Sequence, residues 1–163
     1  MDVGDNDKKQ PAGGAGDLDL QRQITYVVSR LNAKLTAQAA RLLRKRSDLS
    51  LTQWRVMVIL DAWGQGSLAE MCRFLLADKG QLSRVTQVLV ERGMLASEPS
   101  ETDHRVHILK LTDTGRAAYL KAAPHMARRR DHLLTALSRE EQDVFFALLD
   151  KLNAAADDFE NAL

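Results

Sequence analysis

Short hydrogen-bonding side chains and one arginine recur on a single face of the segment between Asp78 and Gly93. Asp78 can cap a first helical turn with Gln81 three residues later, and Gly93 stands where a left-handed cap ends a helix. Apolar residues at helical spacing share the opposite face: Leu82, Val85 and Leu89. The outer face suits base edges and phosphates in a DNA major groove, and its candidate contacts are Lys79, Gly80, Gln81, Ser83, Arg84 and Gln87. An ordinary amphipathic helix is the alternative, and the flanking sequence decides between the two.

A polar turn and a strand follow this helix and supply a second set of candidate contacts. The turn covers residues 100–104, and the strand covers residues 105–111. Arginine is favoured in narrow, A·T-rich minor grooves because the potential there is most negative. Asp103 stands two residues before Arg105 and can hold its guanidinium, so Asp103, His104 and Arg105 are predicted to contact DNA. A surface ion pair of little consequence is the alternative.

Catalytic chemistry has no comparable pattern in this sequence. There is no evident nucleophile–base pair, phosphate-binding glycine loop or metal-ligand spacing, so we expect no enzyme activity, no metal and no cofactor. His125, Asp131 and His132 could share one helical face around zinc, but solvated helical residues are the preferred interpretation. Cys72 is the only cysteine, and its place on the apolar face of a short helix favours a buried, inert thiol.

Two short helices joined by a tight connection predict a helix-turn-helix. Ser67 and Glu70 have the spacing of a capping box, which opens a helix that runs to about Leu76. The helix that Asp78 caps follows almost at once, and its outer face is polar. A polar hairpin directly after the second helix of such a pair is a wing.

Two further helices are predicted before this motif. Apolar residues at three- and four-residue spacing indicate a long helix over residues 18–46. A shorter helix is expected from Gln53 to about Ala62, followed by a loop at residues 63–66.

The C-terminal part of the chain is also predicted to be helical. Thr112 caps a helix that Pro124 should kink or interrupt, and a capping box at Ser138 opens the last helix. The apolar residues of 18–46 and 113–162 exceed what one helix face needs, which predicts an identical partner chain. A two-fold dimer in turn predicts a pseudo-palindromic operator. A self-contained helical bundle is the alternative.

The composition is that of a globular helical protein whose charge is unevenly distributed. Hydrophobic residues make up 45% of the 163 residues and aromatic residues only 5%, which favours a core of leucine, valine and alanine. The net charge is +1, but positive and negative residues are unevenly distributed along the chain: residues 1–17 carry a net charge of −2, residues 18–137 of +8 and residues 138–163 of −5. A basic body with acidic ends suits a protein that faces DNA. Because no apolar stretch could cross a bilayer and no secretory signal is evident, we expect no membrane partner and a cytoplasmic location.

Six short blocks follow one another along the chain in an order that is specific to one protein family. They are Leu51-Thr52-Gln53-Trp54-Arg55, Ser67-Leu68-Ala69-Glu70-Met71, Asp78-Lys79-Gly80-Gln81-Leu82-Ser83-Arg84, Glu91-Arg92-Gly93-Met94-Leu95, Asp103-His104-Arg105 and Leu109-Lys110-Leu111-Thr112-Asp113-Thr114-Gly115-Arg116. This order resembles the MarR family of winged helix-turn-helix transcription regulators. The resemblance covers about residues 20–160, and the Asp-x-Arg wing followed by Leu-x-Leu-Thr-x-x-Gly is its most specific part. Gly80 departs from the small hydroxyl residue that the family often has there.

The resemblance implies a mode of action and a second kind of ligand. Members are homodimers whose first helix and last two helices pair with those of the partner, while recognition helices enter major grooves and wings reach minor grooves. Many are repressors released by a small, often aromatic or phenolic, ligand. An aromatic side chain beside a cation can stack on such an acid and neutralise it. The candidate ligand contacts are Tyr26, Arg30, Trp54, Arg55 and Met57.

These predictions together give a mainly α fold class with a small β wing. Residues 1–17 are expected to form a flexible tail, residues 18–48 and 113–163 a helical dimerisation region, and residues 49–112 a winged helix-turn-helix DNA-binding domain. The predicted function is sequence-specific binding of double-stranded DNA in transcription regulation. The alternatives are a redox-responsive regulator that uses Cys72 and a winged-helix scaffold that binds protein.

Overall fold

The computed structural model describes residues 23–161, with side chains described to residue 159, and it is mainly α with one small sheet. The tail at 1–17 and the start of the first predicted helix, residues 18–22, therefore lie outside the described residues. The chain divides into two compact units, Met1–Gln38 and Ala39–Leu163. The elements in chain order are α1 (Ile24–Arg46), α2 (Leu51–Trp63), β1 (Gln65–Ser67), α3 (Leu68–Leu75), α4 (Lys79–Glu91), β2 (Leu95–Pro99), β3 (His107–Leu111), α5 (Asp113–Leu134) and α6 (Arg139–Asn161).

The three strands form an antiparallel sheet in the order β1-β3-β2. The hairpin of β2 and β3 is the predicted wing, with Leu95 opposite Leu111 and Pro99 opposite His107. The prediction of a loop over 63–66 was wrong at both ends, because Trp63 belongs to α2 and Gln65 begins β1 and pairs with Lys110. A partner so distant along the chain gives no local signal in the sequence.

Capping side chains set where α2 and α3 begin. Ser50 Oγ accepts a hydrogen bond from the Gln53 amide at 3.2 Å, and the Gln53 side chain accepts one from the Ser50 amide at 2.8 Å. This capping box starts α2 at Leu51, so the predicted start at Gln53 was wrong. The predicted box of Ser67 and Glu70 is confirmed, and hydrogen bonds from Ser67 lower the pKa of the Glu70 carboxyl.

A tight turn joins α3 to α4 and confirms the helix-turn-helix. Leu76 adopts a left-handed conformation with φ of 49°, and only three residues separate the two helices. Asp78 Oδ1 then accepts a hydrogen bond from the Gln81 amide at 2.7 Å and caps α4. Gly93 follows α4 with φ of 65°, the left-handed ending that its position predicts.

One hydrophobic core holds the winged helix-turn-helix together within the second unit. It joins the inner faces of α2, α3, α4 and α5 to the sheet and to the last turns of α1. The largest side chains with less than 2% exposure are Leu43, Val56, Met57, Leu60, Met71, Leu82 and Leu89. The inner face of α4 is thereby fixed by packing, so its outer face is presented in one orientation.

The two C-terminal helices differ in how they are packed. Helix α5 runs continuously through Pro124, so the predicted interruption was wrong. Ala122 is buried and packs this stretch of α5 against the core. Pro124 has no amide hydrogen to donate to the Leu120 carbonyl, and Leu120 is 57% exposed to water. Helix α6 begins at the predicted capping box of Ser138, yet none of its described side chains is buried.

Candidate nucleic-acid interface

Helix α4 presents its predicted contact residues to solvent. Leu82 and Leu89 are fully buried, whereas six side chains on the outer face are exposed. They are Lys79, Gly80, Gln81, Ser83, Arg84 and Gln87. Gln87 Nε2 donates to Glu91 Oε1 at 3.0 Å along the same face, so its amide is held in a defined position.

The wing turn positions Arg105 through the carboxylate of Asp103. Asp103 Oδ1 accepts hydrogen bonds from the Arg105 amide at 3.0 Å and from Arg105 Nε at 3.2 Å. The turn is closed by the Val106 amide, which donates to the Asp103 carbonyl at 2.8 Å, while His104 is exposed. The Arg105 side chain is 92% exposed. Arg105 precedes β3, which starts at His107 and not at the predicted residue 105.

A cleft of about 450 Å³ lies between α4, the start of α3 and the wing. It brings together four of the predicted contact residues, Lys79, Ser83, Gln87 and Arg105. Its lining combines apolar residues such as Leu68, Val90 and Leu109 with cations and hydrogen-bonding groups. The other predicted contacts, Gly80, Gln81, Arg84, Asp103 and His104, lie outside its wall.

Two wing residues in this cleft were missed by the sequence analysis. Ser97 Oγ and His107 Nδ1 are 3.1 Å apart, and both side chains line the cleft beside Arg105. They come from the two strands of the hairpin. The register of the hairpin would have revealed them, because it places both side chains on the face that α4 also borders.

The five candidate ligand contacts belong to the two different units. In the first unit, Arg30 Cζ lies 5.7 Å from the centre of the exposed Tyr26 ring. In the second unit, Arg55 is exposed, but Met57 is fully buried in the core and Trp54 is only 8% exposed. Both are predicted ligand contacts, and both belong to the hydrophobic core.

The Trp54 ring stacks on Tyr119 of α5 with 5.2 Å between ring centres. Burial, together with a hydrogen bond to Asp61, raises the pKa of the Tyr119 hydroxyl. Asp61 also pairs with Arg116 at 2.8 Å. These contacts tie α2 to α5 and account for Trp54 without any ligand.

Other candidate chemistries have little support among the described residues. Cys72 is half-buried and packs against the core. Within residues 23–161 no three histidine, cysteine or acidic side chains are grouped as metal ligands would be, and Asp131 is engaged by Arg130 at 2.9 Å. None of the described helices is long and apolar enough to cross a membrane.

Three features define a winged helix-turn-helix protein. They are a helix pair joined by a tight turn, an exposed polar face on the second helix, and a hairpin wing that presents an arginine. Residues 47–106 match the model of the MarR family. The HTH-type transcriptional repressor IacR of Pseudomonas putida is 30% identical over 90 residues, which span 55% of this chain and 53% of IacR. The chain thus covers about half the length of that relative.

Solved structures extend the likeness to the whole described fold. A MarR/EmrR family transcriptional regulator from Acinetobacter sp. ADP1 superposes with a TM-score of 0.80 at 25% identity, over 86% of this chain and 99% of that one. The transcriptional repressor CouR, bound to a 23-mer DNA duplex, gives a TM-score of 0.74 at 25% identity, over 86% and 99%. Residues 47–106 of this chain are therefore similar to the MarR family, and its fold is similar to those of solved regulators.

Proposed function

We propose that the protein is a sequence-specific DNA-binding transcription regulator, a repressor rather than an enzyme, which acts in the cytoplasm. The observation that carries this proposal is the cleft in which Lys79, Ser83 and Gln87 of α4 meet Arg105 of the wing. A helix and a wing arranged in this way can follow a major groove and the adjoining minor groove of one duplex. The similar CouR is described as a repressor bound to a DNA duplex, which supports the same use of this face.

We assign different roles to the exposed residues of α4 and the wing. Arg84 and Gln87 read bases, because guanidinium and amide groups can make bidentate pairs with guanine and adenine. Lys79, Gln81 and Ser83 hold phosphates, and Asp103, His104 and Arg105 contact the minor groove. A Cβ at Gly80 would meet only the exposed Asp78 carboxylate, at 3.3 Å, so the fold itself hardly requires this glycine. Close approach of DNA backbone to α4 explains it better.

Salt dependence separates DNA binding from a protein-binding scaffold. Each phosphate that a cation neutralises releases a counterion, so affinity for promoter DNA should fall steeply as salt rises. Six to ten such contacts correspond to a loss of about 10³–10⁵ between about 50 and 200 mM salt. Fluorescence anisotropy with promoter DNA at several salt concentrations measures the slope. A flat slope with weak binding would favour the scaffold, and a response to a thiol oxidant that Cys72→Ser removes would favour the redox alternative.

Loss of Arg84 tests the assignment of base reading. We expect Arg84→Ala to weaken operator binding by about 1–3 kcal/mol, or roughly 5- to 150-fold, at fixed salt. The melting temperature should hardly change, because Arg84 is exposed and makes no hydrogen bond or ion pair within residues 23–161. Arg139→Ala removes an exposed arginine from α6 and serves as the control. If the Arg84 variant binds the operator as tightly as the wild type does, Arg84 does not read a base.

We propose that the active species is a homodimer on a pseudo-palindromic operator. In the second unit, α6 exposes an apolar stripe that includes Val144 (59%), Leu148 (53%) and Leu152 (43%). In the described part of the first unit, Ile24 and Leu31 are also about half exposed. A stripe of this length on a water-soluble helix is typical of a surface that another helix covers.

A charge placed on this stripe tests the dimer. We expect Leu152→Glu to weaken self-association about 100-fold, since an unpaired carboxylate in an apolar interface costs about 3 kcal/mol. Ala154→Glu adds the same charge roughly 200° around α6 and should leave the dimer intact. Sedimentation equilibrium at micromolar concentration measures both. A wild-type monomer, or equal effects of the two variants, would contradict the proposal.

Release by a small aromatic or phenolic ligand stays a prediction from the family resemblance. Tyr26, Arg30 and Arg55 keep exposed side chains that a ligand can reach. Met57 and Trp54 could contribute only if the core opened, and we leave them out of the proposed ligand contacts.

A further inference from the structure

A basic depression lies in the second unit, away from the cleft between α4 and the wing. It is formed by the last turn of α1, the loop that leads to α2 and the middle of α5, and it encloses about 400 Å³. Five of its seven lining residues are basic: Arg44, Lys45, Arg46, Lys121 and His125. None of the residues assigned above to DNA binding lines it.

No ion pair among residues 23–161 neutralises the basic residues of the depression. Arg105, Lys110 and Arg116 each pair with a carboxylate at 2.8–3.2 Å. Within residues 23–161, by contrast, no side-chain hydrogen bond or ion pair engages any of the five basic residues of the depression. Their mutual repulsion is therefore not offset by any ion pair among the described residues.

The single acid in the wall of the basic depression does not neutralise it. The Asp48 carboxylate makes no ion pair among the described residues. Its backbone carbonyl accepts a hydrogen bond from Arg92 Nη1 at 3.2 Å, which brings a further guanidinium to this loop. The loop geometry thus adds positive charge beside the depression.

Helix dipoles explain only part of this cluster. Arg44, Lys45 and Arg46 occupy the last turn of α1, where cations complement the negative end of the helix. Lys121 and His125 lie four residues apart in the interior of α5, where no such effect operates. These two basic residues nevertheless lie beside the basic end of α1, and a bound anion would explain why they are there.

We propose that the basic depression binds a small multivalent oxyanion, one that carries phosphate or several carboxylates. Guanidinium groups suit such oxygens because they can donate two parallel hydrogen bonds, and ammonium groups add point charge. The volume accommodates a group of this size. A bound anion would bridge the end of α1 and the middle of α5.

Calorimetry with pyrophosphate and with citrate, each titrated into the full chain at constant ionic strength, tests the proposal. We expect one anion per chain and a Kd raised about tenfold in Lys45→Gln/Lys121→Gln, roughly threefold for each charge removed. The double variant should melt at the wild-type temperature or slightly above it without anion, because repulsion is relieved. A stronger response to pyrophosphate identifies a phosphate ligand, and a stronger response to citrate identifies a polycarboxylate; either supports the site.

Two control variants separate this site from other positive surfaces. Arg139→Gln/Lys151→Gln removes two exposed cations from α6 and should leave the anion affinity unchanged. Arg84→Gln/Arg105→Gln should abolish operator binding and also leave the anion affinity unchanged, so failure here is distinct from failure of the DNA-binding proposal. Three results would each overturn the inference. They are no heat with either anion, an equal loss of anion affinity in the α6 control, and a loss of anion affinity in the Arg84/Arg105 variant alone.

Discussion

Replacing Arg105 with alanine is expected to abolish tight operator binding while the folded protein stays almost as stable as the wild type. The Arg105 side chain is 92% exposed, and its one ion pair, with Asp103 at 3.2 Å, is of the surface kind that contributes about 0–1 kcal/mol. In the minor groove the same guanidinium would meet the most negative potential of the duplex. We expect a loss of roughly 3 kcal/mol, or about 100-fold in Kd.

A bandshift titration at matched salt and a thermal melt measure the two halves of this prediction. Arg130→Ala is the matched control, because Arg130 is also an exposed arginine paired with a neighbouring aspartate, at 2.9 Å, but lies on α5. Asp103→Asn keeps the cation and loosens its position, so we expect an intermediate loss of affinity. If Arg105→Ala binds the operator as tightly as Arg130→Ala does, the wing does not contact DNA through this residue.

The parts of the fold that the sequence predicted are those coded by residues close together in the chain. Ser67 with Glu70, and Ser138 with its partner three residues on, identify helix starts because both halves of a capping box lie within one turn. The Asp103–Arg105 contact was predictable for the same reason, since one carboxylate can reach an amide and a guanidinium two residues away.

The parts that were missed depend on contacts between distant segments. Gln65 appeared to belong to a loop because its strand exists only through pairing with Lys110. Pro124 was expected to kink or interrupt a helix, but α5 runs through it, and packing of the nearby Ala122 in the core outweighs the loss of one hydrogen bond. Met57 had the right chemistry for a ligand contact, and only the packing of α2 among its neighbours shows that it is buried.

Gly115 is the position where a single added methyl group should do the most damage to the fold. A Cβ at this residue would lie 2.0 Å from the Met94 carbonyl oxygen and 2.9 Å from its carbon, both of them backbone atoms. The approach is close because Thr112 joins the two segments: its hydroxyl donates to the Gly93 carbonyl at 2.7 Å, and its amide donates to the Met94 carbonyl at 3.2 Å. The Leu-x-Leu-Thr-x-x-Gly motif thus fastens the end of α4 to the start of α5.

We therefore expect Gly115→Ala to cost about 3 kcal/mol or more of unfolding free energy, since backbone cannot move aside as a flexible side chain can. For a chain of this length the melting temperature should fall by roughly 6–12 °C. Gly64→Ala is the matched control: Gly64 has φ of 79° and ψ of −45°, a backbone conformation that strains other residues by about 1–2 kcal/mol, but nothing lies within 4 Å of an added Cβ. Thermal melts of both variants test this prediction. If Gly115→Ala is as stable as Gly64→Ala, the junction between α4 and α5 can relax to accommodate the added Cβ. Loss of operator binding at temperatures where Gly115→Ala is still folded would show that the same junction also sets the orientation of α4 on DNA.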